Sequence, residues 1–336
     1  MKKIFYGLVF VLLASFIYLF ITTPYEEEVA NDELAPSEVF VYETEVENKN
    51  ECVSFEKYDS KRKVCSFECA DENECADLNR QAQDEFASWA DELEKEAAPV
   101  AEKNIKNDDT SEKATYKVLS GEKITFLNGD DTQEYRKIWD DIKDLSPDSL
   151  SDKYIEEFQV FDNESDDTLA FVDDADGNGK WRIAVNLSSH KSSSLREQKS
   201  TLIHELAHII SLNGSQVSDD DKKCNTLKLD EGCTKSDSYI NTFYQAFWKN
   251  IKNKDSVKFD KNKYVTDYAT TNEVEDFAES FTFFVLEKNL EDTENTLRDQ
   301  KIKSFYNFTE LVDIRSDMRK QLSKDVIRAK KAISYK

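Results

Sequence analysis

The chain lacks an excess of basic residues, and this absence limits its partners. Its 336 residues include 45 lysines and arginines against 69 aspartates and glutamates, for a formal net charge of −24 and a sequence pI of about 4.6. Such a charge excludes nucleic acid and an anionic membrane surface as main partners. Long internal repeats are also absent. Histidine is scarce, with three residues in the whole chain, so a pair of histidines in a metal-binding pattern is informative.

The negative charge is concentrated towards the N-terminus. Residues 26–113 hold 27 acidic and 10 basic residues, whereas residues 114–336 hold 42 and 33. Residues 22–50 are acidic and show no hydrophobic periodicity, which predicts an extended tether. Residues 99–115 are mostly polar and are predicted to be a linker. A globular domain is therefore expected at residues 116–336.

An uncharged hydrophobic run, residues 4–21, follows two N-terminal lysines. As a helix it would be roughly 27 Å long, close to a hydrocarbon thickness of about 30 Å. The lysines before it and the glutamates at 26–28 place the rest of the chain outside the cytoplasm. The rival interpretation is a cleaved signal peptide, although neither a small-residue cleavage site nor a lipobox cysteine follows the run. Residues 1–21 are predicted to be a membrane anchor or a signal peptide of an extracytoplasmic protein.

The cysteines are even in number, which in an oxidising compartment is typical of disulfides. They are Cys52, Cys65, Cys69, Cys75, Cys224 and Cys233. Their grouping along the chain favours a Cys224–Cys233 bond and two bonds among the first four. The alternative is a zinc knuckle in the first group, whose spacing lacks the paired C-x2-C units that such sites usually show. Residues 51–98 are predicted to be a cysteine-rich knot followed by a helix.

Hydrophobic patterning predicts both helices and strands, and hence an α+β fold class. Helices are expected near residues 78–93, 135–142 and 311–333, the last amphipathic and packed against the domain, and strands at 158–161, 168–172 and 181–187. The acidic, glycine-containing loop 173–179 predicts a hairpin turn. Asp174, Asp176 and Asn178 also resemble the start of a calcium loop, but Val185 stands where that loop needs a glutamate, so the turn is favoured over calcium.

A further helix carries the clearest chemical motif. Ser194 and Glu197 fit a capping box at its start, and Asn213-Gly214 fits its end. Within it stand His204, Glu205 and His208 as His-Glu-Leu-Ala-His, which by chance would arise in roughly 0.3% of such chains. The imidazoles lie about 40° apart around the axis, so both can bind one Zn²⁺ while Glu205 reaches a water at the open position. The alternative is two core histidines with hydrogen-bond partners.

The third zinc ligand cannot follow the metzincin pattern, because Ser211 and Gly214 occupy the positions where that class has glycine and histidine. His190 is the other histidine, but a carboxylate is favoured. Glu275 and Glu279 lie one turn apart on a predicted apolar helix, and burial of two carboxylates requires a positive partner. Glu275 is therefore expected to bind the metal and Glu279 to accept a hydrogen bond from a ligand histidine. On a solvated helix face the pair would need no metal.

Together these motifs resemble the gluzincins of the lethal factor catalytic domain and Pro-Pro endopeptidase type. The resemblance is carried by His-Glu-Leu-Ala-His and by the later Tyr268, Glu275 and Glu279 in the pattern Tyr-x6-Glu-x3-Glu. It covers roughly residues 116–336 and implies a zincin-like fold, with a small mixed sheet, an active-site helix and a mostly helical C-terminal part. It implies that Glu275 is the third zinc ligand and that Tyr268 points at the site. The Cys224–Cys233 pair is a departure from the family.

The expected function is that of an extracytoplasmic zinc endopeptidase acting on a protein or peptide. Glu205 is expected to be the general base, and Tyr268 to donate a hydrogen bond to the oxyanion unless it is an ordinary loop tyrosine. Family analogy places an extended substrate along strand 181–187 as a sheet edge. The competing class is an exported binding or adhesion protein of the same fold without turnover, against which the intact Glu205 argues.

Overall fold

The computed structural model describes residues 41–45, 49, 52, 56–95, 111–121, 123–165, 168–175, 179–218, 223–288 and 295–334. Val39–Lys336 form one compact unit. The predicted anchor at residues 1–21 lies outside the described residues. Within the described ranges, every helix is too short or too polar to cross a membrane.

Strands and helices both contribute to the compact unit, so the predicted α+β class is confirmed. The strands are β1 (Val41–Glu45), β2 (Lys57–Asp59), β3 (Val64–Glu68), β4 (Ser111–Leu119), β5 (Lys123–Gly129), β6 (Ile155–Asp162), β7 (Ala170–Asp174), β8 (Trp181–Asn186), β9 (Val217–Ser218), β10 (Lys228–Leu229) and β11 (Gly232–Thr234). The helices are α1 (Glu72–Lys95), α2 (Gln133–Leu145), α3 (Asp148–Tyr154), α4 (Leu187–Ser192), α5 (Leu195–Leu212), α6 (Tyr239–Phe247), α7 (Glu273–Leu286), α8 (Leu297–Ser304) and α9 (Thr309–Ser334).

A five-stranded mixed sheet in the order β5-β4-β6-β8-β7 supports the helices. Strands β6 and β8 are parallel, and the other neighbours are antiparallel. Phe158, Ile183 and Val185 project from one face of this sheet and are fully buried. That face lies in the hydrophobic core together with the apolar sides of α2, α5 and α7. The three helices therefore pack on the apolar face of the sheet.

The expectation that residues 181–187 form a sheet edge is wrong. Strand β8 is paired on both sides, and the edge is β7, which lies beside α5. Arg182, a polar residue within this strand, contacts side chains of both neighbouring strands. It donates a 2.9 Å hydrogen bond to Asp173 on β7 and lies 3.8 Å from Glu157 on β6. The polar residue Arg182 within this strand is therefore explained by ion pairs with the two neighbouring strands, and it does not indicate a sheet edge.

The disulfides match the predicted grouping. Bonds join Cys52–Cys65, Cys69–Cys75 and Cys224–Cys233, so this prediction is confirmed. The first two bonds brace the small sheet of β1, β3 and β2 and its connection to α1. The third links the segment before β10 to β11, between α5 and α6.

One strand lies within a segment predicted to be a tether, and another begins within a segment predicted to be a linker. Strand β1 lies within the predicted tether and pairs with β3, and β4 starts at Ser111, within the predicted linker. Both segments are polar, which suggested extended linkers. Antiparallel pairing provides hydrogen-bond partners for the backbone groups of both segments. A polar segment can form such a strand because one face of an antiparallel sheet can be exposed to solvent.

The acidic helix α1 is part of the same compact unit as the central helices. Leu78, Phe86 and Trp89 belong to the common hydrophobic core. Its acidic side chains pair with basic residues elsewhere in the unit, on α5, on α9 and just after α7: Glu74 with Lys331, Asp84 with Lys288, Glu85 with Lys330, and Glu92 with Arg196. The segment predicted as a separate cysteine-rich knot and helix is therefore docked on the helical layer.

The last helix, α9, is amphipathic as expected. Leu311, Met318 and Leu322 are fully buried in the common core. The prediction that this helix packs against the domain is confirmed.

Candidate metal centre

Helix α5 brings the two motif histidines into the interior. The helix begins with the predicted capping box, in which Glu197 N–H donates to Ser194 Oγ (3.3 Å) and Ser194 N–H donates to the Glu197 carboxylate (2.7 Å). From Lys199 to its end at Leu212 the helix is almost entirely buried. His204, Glu205 and His208 are each less than a tenth exposed. The sequence places three polar side chains within the otherwise apolar stretch 202–210, and a buried polar group of this kind requires a partner.

Helix α7 supplies that partner. Oε2 of Glu275 lies 3.3 Å from Nε2 of His204 and 3.4 Å from Nε2 of His208. The two Nε2 atoms are 3.0 Å apart. Three candidate ligand atoms thus form a nearly equilateral triangle, two of them from α5 and the third from α7.

This triangle has the dimensions of a metal site. Ligand atoms around a tetrahedral zinc ion, with bonds of about 2.0–2.1 Å, lie about 3.3 Å from one another. The carboxylate separations exceed the usual N–H···O distance of about 2.9–3.0 Å, and Oε2 of Glu275 is buried without a well-formed hydrogen bond. His204, His208 and Glu275 could therefore hold a metal ion. Two imidazoles and one carboxylate are a donor set that suits zinc.

The geometry also accounts for the charges in the cluster. Burial acts to lower the pKa of His204, but the carboxylates of Glu275 and Glu279 outweigh it and raise that pKa well above its ordinary value. Burial acts to raise the pKa of Glu275, yet the two imidazoles hold it well below the usual range. The carboxylate of Glu275 is thus ionised. A buried carboxylate requires a positively charged partner, which can be a protonated imidazole or a bound metal ion.

Glu279, one turn after Glu275, reaches the far side of the first imidazole. Its Oε1 lies 2.7 Å from Nδ1 of His204, a hydrogen-bond distance when Nδ1 carries the proton. That tautomer leaves the Nε2 lone pair directed at the centre of the triangle. The carboxylate therefore orients the ligand histidine. Its other oxygen, Oε2, accepts a 2.5 Å hydrogen bond from Thr266 Oγ1.

Tyr268 lies beside the site in a short 3-10 turn, Tyr268–Thr270, just before α7. Its ring centroid is 5.8 Å from that of His204, and the side chain is half-buried. Glu205 lies on α5 between the two histidines and is 5% exposed. The residues that the sequence assigns to the site therefore lie close together on α5, on the 3-10 turn and on α7. Their chemical roles stay predictions.

The start of α7 is fixed on both sides. The side chain of Asn272 accepts hydrogen bonds from the N–H groups of Val274 (2.8 Å) and Glu275 (2.9 Å). On the opposite face, the buried Asp276 accepts a 2.6 Å hydrogen bond from Trp248 Nε1 and pairs with Lys301 at 2.6 Å. These contacts hold the backbone that carries Glu275.

Comparison with models of known protein families, with curated proteins and with solved structures found no match. The site must therefore be judged on its own geometry.

Other candidate residues lie elsewhere. His190, the third histidine, is on α4 and does not belong to the cluster. In the described part of the chain, Cys52, Glu56 and Cys65 are the other group close enough to bind a metal, but the two cysteines are joined in a disulfide. Residues 176–178 of the calcium-like loop lie outside the described residues.

Sequence reasoning missed three supporting residues: Thr266, Asn272 as a helix cap, and Asp276 as an anchor. An asparagine immediately before an apolar helical run is a recognisable capping signal. The other two carry no local signal, since their partners lie on separate elements.

Proposed function

We propose that this protein is a zinc-dependent endopeptidase. The observation that carries the proposal is the triangle of His204 Nε2, His208 Nε2 and Glu275 Oε2, with a buried glutamate, Glu205, in the same helix. Three protein ligands leave one tetrahedral position for water or substrate, which is the pattern of catalytic rather than structural zinc. The similarity of the two motifs to the gluzincins supports the same reaction.

Zinc bound to these ligands would lower the pKa of a coordinated water to about 7 and polarise the scissile carbonyl. Glu205 accepts the proton of the attacking water on its carboxylate and returns it to the leaving amine nitrogen. Tyr268 donates its phenolic O–H to the developing oxyanion. Glu279 keeps the proton on Nδ1 of His204, so that Nε2 stays a lone-pair donor.

The substrate is proposed to lie along β7. In the part of the chain that the structure describes, this strand is the edge of the sheet next to α5, and an extended peptide could pair with its outer backbone groups. A protein or peptide substrate fits this geometry, because strand pairing reads the backbone and not one particular side chain. The extracytoplasmic location and the membrane anchor remain proposals from residues 1–21.

Hydrolysis of a mixed peptide library, with and without a chelator, tests the proposal. The wild-type chain loaded with zinc should cleave, and the chelated chain should not. Glu205→Gln should still bind one zinc and lose at least about 100-fold in kcat. Glu134→Gln serves as the matched control, because Glu134 is half exposed and pairs with Lys191 away from the site.

Two results would reject the assignment. Normal cleavage by Glu205→Gln would show that Glu205 is not the general base. Zinc binding by the wild-type chain without cleavage of any peptide would favour the competing class, a binding or adhesion protein without turnover.

A further inference from the structure

Thr266 makes two hydrogen bonds from one buried hydroxyl. Its Oγ1 donates to Oε2 of Glu279 at 2.5 Å and accepts from the backbone N–H of Ala269 at 3.2 Å. The residue is 5% exposed, so water cannot readily replace either partner. A hydroxyl is required here because the group must donate and accept at once.

These two bonds connect two parts of the site that otherwise belong to separate elements. On one side Glu279 meets Nδ1 of His204 at 2.7 Å. On the other side Ala269 belongs to the 3-10 turn that carries Tyr268. A series of polar contacts therefore runs from the turn of Tyr268, through the two hydrogen bonds of Thr266, to Glu279 and the imidazole of His204.

We propose that Thr266 is a positioning residue that sets the orientation of the His204 ligand and of Tyr268 together. The inference rests on the proposed function for the role of Tyr268, but its effect on metal binding does not. Without the hydroxyl, Glu279 loses the donor that holds Oε2, and its other oxygen no longer has a fixed direction towards Nδ1. The turn loses the acceptor for Ala269 N–H, so the segment that carries Tyr268 is held less firmly against the imidazole.

The test compares Thr266→Val, which keeps the shape and removes the hydroxyl, with Thr266→Ser, which keeps the hydroxyl. Zinc affinity is measured by competition with a chelator of known affinity, and kcat and KM are measured on a cleaved peptide. Thr266→Val should weaken zinc binding by about 10-fold, the lower end for residues that orient a ligand, and lower kcat with little change in KM. Thr266→Ser should restore both.

Thr282→Val is the matched control. Thr282 is a similarly buried threonine on α7, but its hydroxyl bonds to the Ala278 carbonyl of its own helix at 3.0 Å. It should leave zinc affinity and kcat unchanged. A loss equal to that of Thr266→Val would show that any buried hydroxyl in this region has the same effect, and would overturn the proposal.

A double-mutant cycle separates positioning from general loosening. In a Tyr268→Phe background, the loss of kcat caused by Thr266→Val should be smaller than in the wild type, because one of the two groups that Thr266 positions is already gone and only the effect through His204 is left. Additive losses, or zinc affinity of Thr266→Val equal to that of the wild type, would contradict the proposal. If no peptide is cleaved by the wild type, the proposed function fails, whereas the zinc series still decides the link to His204.

Discussion

The carboxylate of Asp276 lies 2.6 Å from the ammonium nitrogen of Lys301, and both side chains are almost completely buried. Asp276 directly follows the candidate ligand Glu275 but projects to the other side of α7, towards α8 and the Trp248 indole. Burial raises the pKa of Asp276 to about 6 despite the ammonium group. The pair therefore connects α7 to α8, and burial of the two charged groups costs considerable desolvation free energy.

We expect Lys301→Met to be strongly destabilising, because it leaves a buried carboxylate without its partner. A loss of about 3–5 kcal/mol in the free energy of unfolding is typical of such a change. Urea unfolding measures it. The double variant Asp276→Leu/Lys301→Met should recover much of the loss, and a double variant no more stable than Lys301→Met would contradict this account.

Arg319 should contribute to stability through backbone carbonyls. Its guanidinium donates to the carbonyl oxygens of Val285 and Glu287 at the C-terminal end of α7, where the helix dipole also favours positive charge. Arg319→Met takes the side-chain donor from the Val285 carbonyl and leaves the Glu287 carbonyl with Arg315 as its remaining side-chain donor, so we expect a loss of about 2 kcal/mol in urea unfolding. The exposed Arg80, paired with Asp77 on α1, is the control, and Arg80→Met should change stability by less than about 0.5 kcal/mol. Equal effects of the two changes would rule out the carbonyl contacts as the cause.

His190 should make stability depend on pH in the acid range. Burial lowers the pKa of His190 below its ordinary value of 6.5. The unfolded chain therefore binds a proton below pH 6.5 more readily than the folded chain, so this residue's contribution is present above that pH and is lost as the pH falls. His190→Asn should flatten the decline in thermal midpoint as the pH falls from 6.5. Lys191→Gln, a change of its exposed neighbour, should not, and an unchanged profile in His190→Asn would refute the prediction.

Metal binding should stabilise the folded chain. At a free zinc concentration about 100 times the dissociation constant, the expected gain is about 2.7 kcal/mol. The thermal midpoint should rise on addition of zinc and fall again with chelator. Glu275→Ala should remove most of this rise while Glu134→Ala retains it. A rise of the same size in Glu275→Ala would show that zinc binds elsewhere.

The candidate site was largely predictable because its signals are local. His204 and His208 are related by one turn of a single helix, and Glu275 and Glu279 by one turn of another. Helical periodicity reveals both relationships without any knowledge of the tertiary fold. The capping box at Ser194 is a local pattern in the same way, and all of these appear in the structure.

What the sequence could not predict depends on contacts between distant segments. The order of strands places β8 inside the sheet and β7 at its edge, and alternation within one strand carries no information about its neighbours. The hydroxyl of Thr266 and the ammonium group of Lys301 acquire their partners through tertiary packing. Composition predicts a tether and a linker at the polar segments of β1 and Ser111, because it reports solvent exposure and not backbone pairing.

The three candidate ligands stand on α5 and α7, and the segment between them includes a disulfide, a small sheet and α6. A chain synthesised only as far as His208 has the two candidate histidine ligands but not the third, Glu275. For the proposed metal site, binding of the ion is therefore expected only after α7 has been made and has packed against α5.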